Sequence, residues 1–359
     1  MRGIFSESVA NVRVAIIGYG LAGRFFHAPL IAATAGLELA TVVTSSPERT
    51  AQARADYPGL QVVADPDVLW EELPPDLLVV ATPNDTHAPL AAEAIVRSVP
   101  VVVDKPLAVS EAEAEDLIGR AQRAGVMLTV FQNRRWDSDH LTLERLINEG
   151  ALGAVTRYES RFERWRPDAE PRGWRENVAP EQGGGQLLDL GSHLIDQALV
   201  LFGPVTHVYA ELESRGGLVS EDDVFLALRH AHGPISHLYA GSKTPAVGPR
   251  LRVQGTRAGF LVTRLDPQEA ALRGGARPDT SPEWGAPEPG QQGRLVAGER
   301  SASVPVEPGA WPRFYALVEQ ALREGTAPPV DAADAVAVLR VIAAARHSAA
   351  TRTEVALPD

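Results

Sequence analysis

The sequence predicts an α/β protein with two domains. Residues 1–132 should form a doubly wound parallel sheet, and residues 133–359 an α+β domain with a large, mainly antiparallel open sheet. Three observations lead to this prediction. A glycine-rich turn joins the first apolar run to a helical segment, six apolar runs alternate with helical segments, and the later runs follow one another without intervening helices. A chain of 359 residues is long enough for two such cores.

The glycine-rich turn directly follows the first apolar run. Arg13–Ile17 precedes the turn, a helical stretch spans Arg24–Ala35, and a second apolar run spans Leu37–Val43. In this strand–turn–helix–strand context, G-x-G-x-x-G predicts a Rossmann fold whose backbone N–H groups bind a dinucleotide pyrophosphate. The expected cofactor ligands in the turn are Gly18, Tyr19, Gly20, Leu21, Ala22 and Gly23.

The end of the second run bears on which dinucleotide binds. It reads Val43-Thr44-Ser45-Ser46-Pro47-Glu48-Arg49, without a carboxylate at the strand end for the ribose 2′-hydroxyl of NAD. Hydroxyls and a guanidinium suit the 2′-phosphate of NADP, so Ser45, Ser46 and Arg49 are its expected ligands. The alternative is that Glu48 reaches the ribose and NAD binds.

Four further runs complete the parallel sheet, at Leu60–Ala64, Leu77–Ala81, Pro100–Val103 and Val126–Phe131. Helical segments at Ala88–Ser98 and Ser110–Ala124 separate the later ones. Ligands of such sheets bind outside the carboxyl ends of the strands. The polar or special residues at these ends, which we expect in the site, are Thr82, Pro83, Asn84, Asp104, Lys105, Pro106, Gln132, Asn133 and Arg134.

Lysine is rare in this chain. Lysine and arginine total 34, yet Lys105 and Lys243 are the only lysines. An ammonium is a compact charge whose pKa can shift, whereas a guanidinium stays protonated. The position of Lys105 after a buried run therefore indicates a function that arginine cannot perform, with survival by chance as the alternative. Lys243 is expected as a surface or loop charge, although its rarity leaves a pocket role open.

The second domain begins with a helical segment at Leu141–Glu149 and a strand at Thr156–Glu163, and a second helical segment spans Leu187–Phe202. Further strands are expected at Val205–Glu213, Val224–Arg229, Ile235–Gly241, Leu251–Gln254 and Gly259–Thr263. The Gly- and Pro-rich stretch Asp266–Pro312 predicts a loop or flap. The final helices are expected at Arg313–Glu324 and Asp331–Ser348.

An open antiparallel sheet should have one face covered by helices and the other available to a second subunit. We expect Val224, Leu226, Leu228 and Ile235–Tyr239 to bury that second face. The sequence thus predicts a homodimer or homotetramer assembled through this sheet.

Asp189 and His193 follow the glycines of Gly183-Gly184-Gly185 at a spacing of i and i+4, which places them on one helix face. Histidine titrates near neutrality, and a carboxylate one turn away can orient it, so the pair suits proton transfer. A solvated helix face is the alternative for an isolated pair. Half a metal site is another, but no third ligand with metal spacing is visible, so no metal is expected.

The composition narrows the class of protein. The net charge of −12 argues against nucleic-acid and anionic-membrane partners, because both select basic surfaces. Without cysteine there can be no disulfide, thiolate metal site or cysteine nucleophile. No signal-peptide core and no run of about 18 apolar residues is visible, so a soluble cytoplasmic protein is expected.

Over essentially its whole length the chain resembles the glucose–fructose oxidoreductase / inositol dehydrogenase / rhizopine catabolism (Gfo/Idh/MocA) family of NAD(P)-dependent oxidoreductases. The resemblance rests on the glycine turn, Thr82-Pro83-Asn84 with His87, Asp104-Lys105-Pro106, and the Asp189/His193 pair. The family's usual triplet is Glu-Lys-Pro, so Asp104 departs from it by one methylene. Within the family, the chain most resembles NADP-dependent scyllo-inositol dehydrogenases.

The resemblance implies roles for particular residues. Lys105 would stabilise charge on the reacting oxygen, His193 would carry the proton, and Asp189 would bind a neighbouring hydroxyl, while Asn84 and His87 would border the nicotinamide. The implied polyol pocket comprises Asn133, Arg134, Trp136, Trp174 and Arg175. Core packing is an equal alternative for Trp174, and His27 is expected to be a packing histidine.

The function expected from these roles is hydride transfer between NADP, or else NAD, and a secondary alcohol of a cyclitol or sugar. Three other classes are open. The chain could be a glycosidase that retains its cofactor and assists hydrolysis by redox chemistry, a cofactor-binding sensor without catalysis, or a plain structural α/β protein, which the three concordant motifs disfavour. The sensor has no reason to keep Lys105, Asp189 and His193 together.

Overall fold

The computed structural model describes residues 10–167, 177–215 and 217–358. Two residues of the expected polyol pocket, Trp174 and Arg175, lie outside these ranges. Among the described residues, no helix has both the length and the hydrophobicity that a transmembrane span requires.

The first sheet has six parallel strands, as predicted. They are β1 (Val12–Ile17), β2 (Leu37–Val43), β3 (Gln61–Val63), β4 (Leu77–Val80), β5 (Val101–Asp104) and β6 (Leu128–Phe131). Their order is β3-β2-β1-β4-β5-β6, which is the doubly wound arrangement. All residues of β4, β5 and β6 are buried, because helices cover both faces of the sheet.

Helices α1 (Ala28–Ala32), α2 (Pro47–Asp56), α3 (Pro66–Glu72), α4 (His87–Val96) and α5 (Glu111–Ala124) connect these strands. Ser46 and Ser110 are N-caps, each accepting a hydrogen bond from a backbone N–H three residues later. The helix expected over Arg24–Ala35 differs from the prediction. It begins as a π turn over Gly23–His27 and continues as the short α1.

The second sheet has nine strands and is mainly antiparallel, which confirms the predicted fold class. Its order is β14-β13-β12-β11-β7-β10-β9-β8-β15, and β7 and β10 are a parallel pair at its centre. The strands are β7 (Val155–Glu163), β8 (Val205–Glu213), β9 (Asp223–His230), β10 (Ile235–Gly241), β11 (Leu251–Gly255), β12 (Gly259–Val262), β13 (Gly293–Ala297), β14 (Arg300–Val304) and β15 (Val355–Ala356).

The remaining helices are α6 (Ser138–Asn148), α7 (Ser192–Phe202), α8 (Gln268–Arg273), α9 (Pro312–Glu324) and α10 (Ala332–Thr351). Helix α10 packs on both domains, contacting α5 and β6 of the first as well as α7 and β8 of the second. The Thr129 hydroxyl donates to the Val330 carbonyl at 2.7 Å across the same junction. The division between residues 132 and 133 stays a prediction.

The stretch Asp266–Pro312, expected as a loop or flap, contains α8 and the hairpin β13–β14. Strand β13 pairs with β12 and so extends the edge of the second sheet. The sequence pattern did not show this hairpin because most of its residues are solvent-exposed or only partly buried, and such strands lack apolar alternation.

The expectation about the uncovered sheet face was wrong for specific residues. Val224, Leu226 and Leu228 are 2%, 0% and 0% exposed, Leu238 of the Ile235–Tyr239 run is 0% exposed, and all four belong to the core of this chain. Strand alternation therefore places the neighbouring residues on the opposite face, where Phe225, His237 and Tyr239 lie against one another. That open face is aromatic and charged, with the Arg161 guanidinium 4.2 Å from the Tyr239 ring centroid.

Candidate active site

A cavity of ≈ 280 Å³ lies where the carboxyl ends of the first sheet meet the second domain. The first domain contributes the glycine turn through Leu21 and Ala22 and the end of β5 through Asp104 and Lys105. The second domain contributes Asp189, His193 and the ends of β7 and β10. The structure thus brings together the three expected catalytic residues, which lie up to 88 positions apart in the chain, from Lys105 to His193.

The glycines of the turn have different physical roles. Gly18 has φ +99°, and a Cβ there would lie 2.3 Å from the Ala81 carbonyl oxygen. A Cβ on Gly23 would lie 2.0 Å from the Gly18 carbonyl oxygen. A Cβ on Gly20 would lie 4.0 Å from Cζ of Arg49, the nearest atom apart from its chain neighbours, so this backbone is open to a ligand. Tight packing at two glycines and open space at the third fit the close approach of a pyrophosphate.

Not every residue of the turn presents its side chain to a ligand. Tyr19, expected as a cofactor ligand, is 1% exposed, and its hydroxyl donates to Asp56 at 3.0 Å. Its side chain therefore belongs to the core, and only its backbone can contact a dinucleotide. Leu21 is 41% exposed, and both Leu21 and Ala22 line the cavity.

Lys105 and Asp189 form the central contact of the site. The Lys105 ammonium donates to the backbone carbonyl and to Oδ1 of Asp189, both at 2.6 Å. The two side chains are 9% and 28% exposed. An ammonium has three N–H donors, so one remains for a ligand in the cavity after these two bonds.

Asp104 fixes the backbone next to the lysine. Its Oδ1 accepts from the Lys105 N–H at 3.0 Å and lies 3.7 Å from Nε2 of His27. Burial alone would raise the pKa of the Asp104 carboxyl, but His27 and Lys105 lower it below its ordinary value. His27 is completely buried, and its Nδ1 lies 2.6 Å from the Tyr315 hydroxyl, which agrees with a packing role.

His193 is held in one orientation by Gln132, whose Oε1 lies 3.1 Å from Nδ1. Because this oxygen is an acceptor, Nδ1 carries the proton and Nε2 keeps its lone pair. Burial lowers the pKa of His193 well below its ordinary value, and Lys105 and Arg134 act in the same direction against Asp189. His193 is therefore a neutral base at neutral pH. Gln132, expected at the cofactor, contacts the histidine.

The helix expected over Leu187–Phe202 begins with a π turn at Leu187–Gly191, and α7 starts only at Ser192. Asp189 therefore lies in the π turn and not one α-helical turn before His193. The wider turn matters because both the carbonyl and the carboxylate of Asp189 reach the Lys105 ammonium. Such turns often occur at functional sites.

Asn133 and Arg134 line the cavity, as expected of pocket residues. The Arg134 guanidinium donates to Glu269 at 2.7 Å and to Asp137 at 3.3 Å, and it stacks 4.7 Å from the Phe162 ring centroid. Trp136 does not line the cavity. It is 7% exposed and packs edge-on against Phe314, so its expected contact with substrate is not supported.

The end of β4 is tied to its surroundings by buried side chains. Asn84 is 3% exposed and donates to the Gly183 carbonyl at 2.8 Å, across the domain junction. The His87 ring is fully buried with Nδ1 2.7 Å from the Pro106 carbonyl and Nε2 2.9 Å from the Thr82 carbonyl. This geometry argues against the expected contact of His87 with nicotinamide and for a role in ordering the loops after β4 and β5.

The residues expected at the adenosine end lie at the start of α2. Ser45 and Arg49 are exposed, and the Ser46 hydroxyl accepts from the Arg49 N–H at 3.3 Å. The Glu48 carboxylate accepts from Gln52 at 3.0 Å, one turn along the helix. Arg49 lies beside Gly20, so its guanidinium is within reach of a nucleotide bound on the turn.

Residues 12–132 match the NAD-binding Rossmann fold of the Gfo/Idh/MocA oxidoreductase family. Residues 144–357 match the C-terminal alpha/beta domain of the same family. The chain belongs to the Gfo/Idh/MocA oxidoreductase family.

Three relatives illustrate the likeness within the Gfo/Idh/MocA family. The uncharacterized oxidoreductase YdgJ of Escherichia coli is 40% identical over 350 residues, covering 97% of this chain and 99% of YdgJ. IolW of Bacillus subtilis, named as an NADP-dependent scyllo-inositol 2-dehydrogenase, is 34% identical, with 98% of this chain and 97% of IolW covered. The structure of yvaA from Bacillus subtilis, named as an oxidoreductase, superposes with a TM-score of 0.90 at 34% identity. The match covers 98% of this chain and 99% of the yvaA chain.

The structure adds cavity residues to those expected for this Gfo/Idh/MocA protein. Arg164, Arg166 and Lys243 line the cavity from the ends of β7 and β10, and Glu269 and Arg273 line it from α8. One signal for Lys243 was its rarity. Arg164 and Arg166 had no such signal, because arginine is common in the chain and the pairing of β7 with β10 is not visible in the sequence.

Among the residues that the structure describes, no group of three or more His, Cys, Asp or Glu side chains could hold a metal ion.

Proposed function

We propose that this protein is an NADP-dependent dehydrogenase that oxidises a secondary alcohol of a cyclitol or sugar, or reduces the matching ketone. One observation supports this function most. The Lys105 ammonium and the neutral His193 line the same cavity, beside a glycine turn that is open to a ligand. The name of the relative IolW supports the substrate class and the choice of NADP. The cytoplasmic location inferred from the sequence is part of this proposal.

In alcohol oxidation, the third N–H of Lys105 would donate to the substrate oxygen and stabilise the negative charge that develops there. Nε2 of His193 would accept the hydroxyl proton, while Gln132 holds the ring through Nδ1. Asp189 keeps the ammonium in place, and its partly exposed carboxylate can accept a hydrogen bond from a neighbouring hydroxyl. The dinucleotide, when bound along the glycine turn, supplies the hydride acceptor.

A panel of cyclitols and sugars, offered with NADP and then with NAD and followed at the absorbance of the reduced nicotinamide, tests this function. Turnover of at least one polyol of the panel with NADP is the expected result. Sugar hydrolysis without net formation of NADPH would contradict a dehydrogenase and indicate a glycosidase. Absence of turnover with every member of the panel, despite cofactor binding, would favour a sensor.

Removal of the Arg49 guanidinium should weaken the preference for NADP. Because a hydrogen bond between two charged groups contributes about 1.5–3 kcal/mol, Arg49→Ala should lower the NADP/NAD ratio of kcat/KM about 10- to 100-fold. Arg54→Ala is the matched control, since Arg54 is exposed on the same helix but lies in its last turn, whereas Arg49 lies near its start. Tighter binding of NAD than NADP by the unaltered protein, measured by calorimetry, would contradict the cofactor assignment.

We further propose that the aromatic and charged open face of the second sheet joins two copies of the chain, as a homodimer or a homotetramer. Phe225→Asp would place a carboxylate among Tyr209, His237 and Tyr239, which surround this ring. The expected result is dissociation to monomers in light scattering at micromolar concentration. Val96→Asp, at a side chain 74% exposed at the end of α4, should leave the assembly intact. A monomeric unaltered protein would refute the proposal.

A further inference from the structure

The wall of the cavity carries many charges. Its cationic residues are Lys105, Arg134, Arg164, Arg166, Lys243 and Arg273. Its acidic residues are Asp104, Asp189, Glu221, Asp222 and Glu269. The pairing among these groups decides whether any charge is available to a ligand.

Each acid of the wall already has a partner within the chain. Asp189 accepts a hydrogen bond from the Lys105 ammonium, and Asp104 accepts one from the Lys105 backbone N–H. Glu269 accepts hydrogen bonds from Arg134 and Arg273. The Glu221 carboxylate accepts from the Leu187 N–H at 3.0 Å, and Asp222 from the Arg215 N–H at 2.7 Å. These bonds account for the three cations Lys105, Arg134 and Arg273.

The other three cations, Arg164, Arg166 and Lys243, line the cavity just beyond the ends of the parallel strands β7 and β10, where Trp165 and Lys243 form an antiparallel bridge. The Arg164 N–H donates to the Gly241 carbonyl at 2.8 Å, and the Arg166 N–H to the Ser242 carbonyl at 2.9 Å. The Thr244 N–H donates back to the Arg164 carbonyl at 3.0 Å. This ladder fixes the backbone of Arg164, Arg166 and Lys243 at one end of the cavity.

No side chain in the described part of the chain forms a salt bridge with these three cations. The Lys243 ammonium has a backbone contact, 3.4 Å from the Pro167 carbonyl. Burial lowers the pKa of Arg164, and the charges of Arg166 and Arg134 lower it further, against Glu269 and Asp189. Arg164 is partly buried, whereas Arg166 is exposed. An anion bound between these like charges would reduce the repulsion between them.

We propose that the substrate carries an anionic group, a carboxylate or a phosphate, which binds Arg164, Arg166 and Lys243 while its reacting carbinol lies at Lys105 and His193. The substrate class is then an acidic polyol, such as a sugar acid or a sugar phosphate, and not a neutral one. This inference rests on the proposed function, because it takes the cavity to be the substrate site. Planar guanidinium groups suit bidentate contacts with either anion.

Calorimetry on the protein saturated with NADPH tests the inference without turnover, because an alcohol cannot be oxidised by the reduced cofactor. The probes are D-glucose, D-glucuronate and D-glucose 6-phosphate, which share a ring and differ in the anion. At least one acidic probe should bind about tenfold or more tightly than glucose, with an affinity that falls as ionic strength rises. The two acidic probes distinguish carboxylate from phosphate.

Arg166→Met should reduce this difference about tenfold or more, the value of one hydrogen bond to a charged group. Arg264→Met is the matched control, since Arg264 pairs with Glu288 on the surface outside the cavity and should keep the preference. Equal affinity for glucose and both acidic probes would overturn the inference. So would a loss of NADPH affinity in Arg166→Met equal to the loss for the acidic probe, because these cations would then bind the cofactor.

The failures of the two proposals can be told apart. If neutral polyols turn over and bind as well as acidic ones, the dehydrogenase stands and the anion site does not. If no polyol turns over but an acidic probe binds in an Arg166-dependent manner, the anion site stands and the catalytic function does not.

Discussion

Replacing His193 with alanine should lower kcat for alcohol oxidation about 10²- to 10⁴-fold, the usual contribution of a general acid–base group. The reason is that the hydrogen bond between Nδ1 and Gln132 orients the ring, so the lone pair on Nε2 of His193 can accept the proton. NADP affinity should change little, since the cofactor binds along the glycine turn. Stopped-flow measurement of NADPH formation at saturating substrate would give the chemical step directly.

The pH dependence gives this prediction a direction. Oxidation needs neutral His193, and burial together with Lys105 and Arg134 lowers its pKa well below the ordinary value of 6.5. Oxidation should therefore be constant through neutrality and fall only as the pH drops below that lowered pKa. The sequence alone suggested a titration nearer neutrality. Ketone reduction needs the protonated ring, so its rate should fall as the pH rises above the same pKa.

A matched variant separates His193 from other titrating groups. Gln132→Glu would place a carboxylate against Nδ1 and raise the pKa of His193, so the acid limb of oxidation should move to higher pH. In His193→Ala this fall in the oxidation rate at low pH should disappear. If the limb persists unchanged in the alanine variant, another residue carries the proton, and Lys105 would be examined first.

Lys105→Met and Lys105→Arg should both lower kcat, by about 10²- to 10³-fold if the ammonium stabilises charge on the reacting oxygen. The arginine variant should fail because the Lys105 ammonium donates to two oxygens of Asp189, each at 2.6 Å, in a space where the side chain is 9% exposed. A planar guanidinium is larger than an ammonium and has a different donor geometry.

Steady-state kinetics and NADP binding by fluorescence would test these two variants together. NADP affinity should be largely kept, and circular dichroism should show the same fold as the unaltered protein. Activity of Lys105→Arg close to that of the unaltered protein would show that any cation suffices at this position. The rarity of lysine in the chain would then have no functional meaning.

Local patterns in the sequence determined much of the fold. The six strands of the first sheet, the glycine turn and most strands of the second sheet could be predicted because apolar periodicity and turn residues report on neighbours in the chain. The hairpin β13–β14 could not, because strands with little buried apolar surface show no such pattern. Nor could the π turn at Leu187–Gly191, which contains Asp189 and its contact with the distant Lys105.

Some residues of the site could be predicted from the sequence, and others could be placed only by the tertiary structure. Lys105, Asp189 and His193 could be proposed from residue type, rarity and a family resemblance, and the cavity contains all three. Only the tertiary structure decided that Trp136 and His87 are buried away from it, and that Val224, Leu226 and Leu228 face the core. A sequence shows that a residue is apolar or titratable, but not which of two faces its backbone presents.

Contacts between distant segments were also decided by the fold alone. Lys105 meets Asp189 across 84 residues, and the segment of Arg164 lies beside Lys243 because Trp165 and Lys243 form an antiparallel bridge beyond the paired ends of β7 and β10. The sequence by itself determined which groups could do chemistry and where strands would end. Which of those groups meet depends on strand pairing and helix packing, because these bring together residues that have no local relation in the chain.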